Sequence, residues 1–341
     1  MRTGSDNHMI MRWIPASWNR LHLGLYRAAL VLSLLGASAA VAQDYPARPI
    51  RLVVAFAPGG TTDFVARLFA EKVSTIVGQN VIVENKPGAN GAVAAEFVSR
   101  SEPDGYNLFF TTLGAMAINP NLRPKLNYNP QTDFDPVAMV ARNTILLAIN
   151  SGSNTKTFAE FLTFAKSRER VTVGVTGIGA ATYLCAELLQ KALGIKLQIV
   201  PYRGASQALT DLLGGHIDAM FGDIPVLIGS IKGGNVRALA STSKTRSGVI
   251  PDVPTFVELG FSDILADNWA GVVAPARTPQ PIIKKLGAAF EQAMADPDIL
   301  SQLARSGVTP SFATAEEFRG IIRSETERWG KIIRENAVRV E

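Results

Sequence analysis

Residues 50–77 carry the pattern that most limits the fold. A run of β-branched and aliphatic residues, IRLVVAF (50–56), ends in a Gly-rich turn, APGGTTD (57–63), and an amphipathic segment, FVARLFAEKVSTIV (64–77), follows at once. A short apolar run suits a strand covered on both faces, as parallel sheets require. Thr61, Thr62 and Asp63 are each able to cap the helix that begins there, and Gly78 ends it. The order then repeats. NVIVEN (80–85) reads as a strand, KPGANG (86–91) as a turn, AVAAEFVSR (92–100) as a helix stopped by EPDG (102–105), and NLFFTT (107–112) as a third strand. Strands alternating with helices imply an α/β layer on a parallel sheet.

A similar series restarts downstream. TILLAIN (144–150) reads as a strand and TFAEFLTFAKS (157–167) as a helix, with Thr157 and Glu160 spaced as a capping box. VTVGV (171–175) runs into a second Gly-rich turn, TGIGAAT (176–182), before a helix at 183–193 and a strand at 196–202. ASQALTDLL (205–213) is helical, and GGHIDAMFGD (214–223) turns into another strand. The tail is mainly helical. Pro281 suits a first turn, with Ile282, Ile283, Leu286 and Phe290 on one face. Thr314 and Glu317 form a second capping box, ahead of Phe318, Ile321, Ile322, Trp329 and Ile333 at core-packing spacing. Two α/β units, each with a Gly-rich turn, imply two lobes facing one another across a cleft.

A chain of 341 residues, 47% hydrophobic and 18% charged, holds about two domains and enough core to fold without disulfides. Disordered, collagen-like and coiled-coil classes are excluded. Of the net charge of +5, +3 lies in the first 42 residues, where Arg2, Arg12, Arg20 and Arg27 face only Asp6. With no basic stripe and no zinc-finger spacing, nucleic acid is not an expected partner. The same segment reads as a secretory signal: Arg20 and Arg27, then AALVLSLLG (28–36), then Ala40-Val41-Ala42 before Gln43. Its charge-free stretch of 16 residues is short of the roughly 20 needed to span a bilayer. The mature chain is therefore expected to begin near Gln43 in a periplasm. No cysteine stands at the cleavage point for a lipid anchor, and Cys185, the single cysteine, is expected to pack as a small hydrophobe.

A strand, a Gly-rich turn and a helix make an anion site, because the first N–H groups of the helix are unpaired and its dipole is positive there. Gly59 and Gly60 allow close approach, and Thr61 and Thr62 add hydroxyl donors. No Lys stands where a phosphate loop needs one, so a carboxylate fits better than a triphosphate. Asp63 would repel an anion unless it caps the helix with its side chain turned away. The second turn approaches GxGxxG, but Thr182 replaces the third glycine and no acidic residue follows the next strand. With Arg203 as a 2′-phosphate partner, a dinucleotide-dependent exported enzyme stays open as an alternative. His216 is the only histidine of the mature chain and no GxSxG elbow is present, so neither a Ser-His-Asp triad nor a metal site is expected. The chain reads as a binder with no cofactor.

YPARPIRLVVAFAPGGTTDFVAR (45–67), VIVENKPGANG (81–91), PDGYNLFFTT (103–112), VPYRGASQALTDLLGGHIDAMF (200–221), VRALASTSKTRSGVIPDVPTFVELGF (236–261) and WAGVVAPARTP (269–279) together resemble the Bug family, the extracytoplasmic solute receptors of tripartite tricarboxylate transporters. The resemblance implies a type II-like periplasmic binding protein, each lobe a mixed sheet flanked by helices, with the ligand in the cleft between lobes. Lobe 1 would be 43–146 plus 268–341 and lobe 2 147–267. The implied ligand is a small carboxylate: a di- or tricarboxylate, an acidic amino acid or an aromatic acid. It would be held by backbone donors rather than by an arginine.

Carried over by position, the implied pocket is Phe56, Ala57, Gly59, Gly60, Thr61 and Thr62, with Thr112, Leu113 and Gly114 as a second anion-facing turn of lobe 1. Lobe 2 would supply Gly177, Gly179, Ala180, Ala181, Thr182, Tyr202, Arg203, Gly222 and Asp223, and the re-entering chain Asn268 and Trp269. Ala180, Tyr183 and Phe221-Gly222-Asp223 depart from the family's usual hydroxyl, His and Phe-Asp-Asn. The implied partners are the transporter's membrane subunits, with a signalling sensor as the alternative, and closure of two lobes in one chain implies a monomer.

Overall fold

The computed structural model describes residues 45–123 and 125–338; the expected signal segment lies outside them. From Pro46 onward the chain forms one compact unit. Among the described residues its sheet has ten strands: β1 (Ile50–Val54), β2 (Val81–Asn85), β3 (Asn107–Thr112), β4 (Phe134–Asn150), β5 (Val171–Val175), β6 (Leu197–Pro201), β7 (Ala219–Asp223), β8 (Val236–Ser241), β9 (Asp267–Pro275) and β10 (Val308–Ala313). Their order is β2-β1-β3-β9-β4-β7-β5-β6, with β8 and β10 also on β4. The expected α/β class is borne out. Parallel pairing sits where strand and helix alternate, at β2-β1-β3 and at β6-β5-β7.

The two parallel halves are joined by antiparallel strands. β9 pairs with β3 on one side and β4 on the other, and β4 goes on to pair with β7 and β8. β4 is the shared element. Its first eleven residues, Phe134 to Thr144, lie against β9, and Ile145–Ile149 lie against β7. The strand expected at 144–150 is thus only the end of a 17-residue strand. Asp135, Pro136, Arg142 and Asn143 interrupt the apolar run, and bulges at Pro136/Ala138 and Met139/Ala141 absorb the irregularity.

Helix Thr61–Val77 follows β1, and its C-cap is Gly78 at φ 74°, as the sequence predicts. Helix Ala315–Glu335 opens on the complete Thr314–Glu317 capping box. It buries Phe318, Ile322, Trp329 and Ile333, and Phe318 meets Trp269 edge to face at 5.1 Å. The other box closes differently. Thr157 Oγ1 accepts from the Glu160 N–H at 3.2 Å, but Glu160 reaches back to the Lys156 N–H rather than to that of Thr157. Cys185 is fully buried, and burial pushes its thiol pKa up, as expected of a cysteine acting as a hydrophobe. Among the described residues no helix is long and apolar enough to cross a membrane.

Candidate functional site

The two Gly-rich turns end equivalent strands, β1 and β5, and each touches the opposite half of the molecule. The Ala57 N–H donates to the Arg203 carbonyl at 3.4 Å, and a Cβ on Gly204 would lie 3.2 Å from that of Ala57. From the second turn, the Gly179 carbonyl accepts from Asn90 Nδ2 at 2.6 Å and the Ile178 carbonyl from Arg123 Nη2 at 3.4 Å. The halves therefore meet around a small cleft.

That cleft encloses a cavity of about 250 Å³, lined by Ala55, Phe56, Gly88, Ala89, Asn90 and Arg123 on one side. Thr176, Gly177, Ile178, Pro201, Tyr202 and Arg203 line the other. The volume lies below the roughly 300–1,000 Å³ that drug-sized ligands occupy, so the space suits a small molecule. Its walls come from the segments that follow β1, β2, β5 and β6, outside the carboxyl ends of parallel strands, where α/β sheets bind ligands, together with Arg123.

Each turn is stabilised by a side chain from the first turn of its own helix. In the first, Asp63 Oδ2 accepts from the Gly59 N–H at 3.0 Å. Its carboxylate is also held by Arg67 at 3.0 Å and by Asn85 Nδ2 at 2.8 Å. Burial raises the pKa of Asp63, but the hydrogen bonds from Arg67, Gly59 and Asn85 outweigh it and hold the group below the ordinary value. Asp63 is not the helix cap expected from the sequence: Gly60 stands at the N-cap and no side chain caps it. In the second turn, Thr182 Oγ1 accepts from the Thr176 N–H at 3.0 Å and meets Thr176 Oγ1 at 2.8 Å. Gly59 and Gly177 have φ of 83° and 129°, which an L-side chain rarely adopts, so both turns need glycine there.

A second cluster lies deeper. Asp223 ends β7, Thr61 opens helix Thr61–Val77, and Asn268 is the second residue of β9. Asp223 is 7% exposed and Thr61 3%. Burial pushes the Asp223 pKa up to about 7, and the side chains of Asn268 and Thr61 only partly offset it. Thr61 stands near enough to act on the carboxylate, yet Thr61 Oγ1 and Asp223 Oδ1 complete no hydrogen bond. Asn90 Oδ1 and Ser206 Oγ, on segments that also meet across the cleft, are buried without partners too. An unmet buried polar group costs about 1–3 kcal/mol, so each of these atoms is open to a polar partner.

The residues expected at the site divide by position. Phe56, Gly177, Tyr202 and Arg203 line the cavity. Ala57, Gly59 and Gly60 form the first turn and Gly179, Ala180 and Ala181 the second, while Thr61, Asp223 and Asn268 make the deeper cluster. Thr62 and Thr112 are buried. Leu113 packs in the hydrophobic core, and Gly114 lies under Asn90, where a Cβ would come within 2.5 Å of Nδ2. Thr182 is committed to its own turn. A Cβ on Gly222 would meet Met220 and Leu227, away from the cavity, and Trp269 is buried against Phe318. Tyr202 lines the cavity while its hydroxyl donates to Asp211 Oδ2 at 2.6 Å.

Of the lining residues that were not expected from the sequence, Asn90 and Arg123 bring polar side chains. Asn90 sits at φ 50° in the PGANG turn and is braced by Asn119, which accepts from its Nδ2 at 3.2 Å and donates to its carbonyl at 3.0 Å. An Asn in a Gly-rich turn after a strand is the trace it leaves in sequence. Arg123 ends the short helix Asn119–Leu122, and nothing in its neighbourhood announces a role.

The family model described as tripartite tricarboxylate transporter family receptor matches residues 65–338. Protein BugT of Bordetella pertussis is 34% identical over 315 residues, covering 92% of this chain and 97% of that protein. Among solved structures, the periplasmic binding protein BugD superposes with a TM-score of 0.84 at 32% identity, covering 87% of this chain and all of that one. MatC of Rhodopseudomonas palustris, solved with bound malate, gives 0.80 at 32% identity over 85% of this chain and all of that one. With its α/β fold and a cleft between equivalent Gly-rich turns, the chain belongs to the tripartite tricarboxylate transporter receptor family.

Proposed function

We propose that the protein is a periplasmic solute receptor that binds one small carboxylate between its two Gly-rich turns and delivers it unchanged to membrane transporter subunits. The observation that carries this reading is the 250 Å³ cavity, which both halves of the molecule wall with turns bearing backbone N–H groups. A relative of the same fold, MatC, was solved with malate. On this reading lobe 1 is 43–146 with 268–341 and lobe 2 is 147–267. The crossing strands β4 and β9 carry the hinge, and of the residues expected from the sequence, Phe56, Gly177, Tyr202 and Arg203 line the pocket. The leading 42 residues act as the export signal, and the receptor works as a monomer. No reaction is part of this function. Among the described residues no group of three or more His, Cys, Asp or Glu could hold a metal.

Thermal unfolding of the mature chain against small mono- and dicarboxylic acids, each paired with its amide, tests the reading. A ligand at 100 times its dissociation constant stabilises by about 2.7 kcal/mol. At roughly 2–4 °C per kcal/mol, the midpoint should rise by several degrees with an acid and stay put with its amide. A rise with a dinucleotide and none with any acid would make the protein an enzyme instead.

A further inference from the structure

We infer that Asn90, held in place by Asn119, latches the second Gly-rich turn onto the opposite half and so sets how long a bound acid stays trapped. On the carboxylate-receptor reading, on which this rests, the halves part to admit and release the acid. Asn90 lies in the turn after β2 and Gly179 in the turn after β5, 89 residues apart. Asn90 Nδ2 donates to the Gly179 carbonyl at 2.6 Å and to Asn119 Oδ1 at 3.2 Å. An amide nitrogen carries two hydrogens, so both are committed and the side chain is fixed in one orientation. Asn119 is fully buried and does not line the cavity. Its Nδ2 lies 3.3 Å from the Ala89 carbonyl, 3.0 Å from that of Asn90 and 3.3 Å from the Tyr128 hydroxyl. That hydroxyl donates to the Ala115 carbonyl at 2.6 Å, which ties the brace to the core of its own half.

The surrounding backbone is shaped to this contact. Gly88, Ala89, Asn90 and Gly91 have φ of 149°, 47°, 50° and 85°, and two of these positive values fall on residues other than glycine. Asn tolerates the left-handed region better than most L-residues. Two more glycines make room for the amides. A Cβ on Gly114 would lie 2.5 Å from Asn90 Nδ2, and one on Gly179 would lie 3.0 Å from Asn119 Oδ1. Ala57 with Arg203 and Arg123 with Ile178 also cross the cleft, both at 3.4 Å. Hydrogen bonds strengthen as they shorten and as water is excluded, so the Asn90 contact, at 2.6 Å and with Asn90 6% exposed, is the strongest of the three. A trapped acid leaves only after it breaks.

Three variants of the mature protein test the latch. Asn90→Gly keeps the left-handed backbone and removes only the amide, Asn90→Asp sets a carboxylate oxygen against the Gly179 carbonyl, and Asn119→Ala removes the brace without touching the cavity. Each variant's unfolding midpoint without acid serves as a folding control. Cys185 is fully buried, so spin labels at Glu71→Cys and Glu169→Cys, exposed positions on opposite halves, report the separation of the halves. Stopped-flow mixing with acetate, succinate, malate, citrate, glutamate and benzoate gives association and release rates. All three variants should lower the population with the short label distance. They should also speed release about three- to tenfold, by the same factor for every acid that binds, with association changed less than about twofold. A change confined to some acids, or to association, would make Asn90 a ligand contact and overturn the latch. Unchanged label distances and release rates would overturn it with the receptor reading intact. Wild type that binds none of these acids and shows a single label distance would overturn both.

Discussion

The two Gly-rich turns hold equivalent places, after β1 and after β5, yet they are stabilised by different chemistry. The first is fastened by a charge: Asp63 holds the Gly59 N–H and is itself held by Arg67 and Asn85. The second is fastened by a neutral pair, Thr182 on Thr176. The first leaves the Thr61 hydroxyl buried and unpartnered against Asp223, whereas the second leaves neither of its threonine hydroxyls so. The ionic fastening leaves the Asp63 carboxylate in the first turn of the helix, where it takes the Gly59 N–H and its charge is matched by Arg67. A neutral one suffices where no acid is present. The difference teaches that a shared strand–turn–helix form fixes where N–H groups point, while the fastening residue sets the local charge a ligand meets.

The largest expected effect comes from the acid buried beside the first turn. Asp223 has its pKa raised from 3.8 to about 7, so the folded protein keeps a proton there that the unfolded chain has lost. Stability from this group is therefore full below about pH 4 and falls as pH rises towards 7. At about 1.4 kcal/mol per pKa unit, the upper bound is roughly 4 kcal/mol. Asp223→Asn should gain stability relative to wild type across that window, read from urea unfolding at several pH values; parallel curves would contradict it. Asp63 has the opposite sign. Its lowered pKa contributes stability above the ordinary carboxylate value that is lost as pH falls through the folded-state pKa.

Breaking the charged fastening comes next. Asp63→Ala leaves the Gly59 N–H and Arg67 without their partner and should cost about 2–3 kcal/mol, the scale of hydrogen bonds to charged groups. Breaking the neutral fastening with Thr182→Val should cost less, about 1–2 kcal/mol. If chemical denaturation shows the two variants equally destabilised, the contrast between the turns is lost. The smallest change in stability is expected from Thr61→Ala with Thr62→Ala, under about 1 kcal/mol, since Thr61 Oγ1 makes no internal hydrogen bond. This pair should nevertheless weaken acid binding about tenfold in a calorimetric titration.

The sequence was most informative where a pattern is local. Strands 107–112 and 171–175 and helix 205–213 match their observed bounds, because apolar periodicity and flanking Gly or Pro define them without help. The first part of β4 was not legible: Pro136 and Arg142 mark it as irregular, and only pairing with β9 on one side and β10 on the other makes it a strand. Pro310 hides β10 in the same way. At the candidate site the two turns were readable as motifs. Asn90 and Arg123 were not, because they reach the cavity by tertiary placement. The fastening by Asp63 does leave a trace, the i,i+4 spacing to Arg67, but only the fold brings in Asn85, 22 residues away.

The most direct test is a titration of the mature chain with the acid that most raises its midpoint, followed by recovery and NMR analysis of that acid. The account predicts one equivalent bound per chain and the acid recovered unchanged. Absence of binding for every acid, or recovery of a chemically altered product, would contradict it.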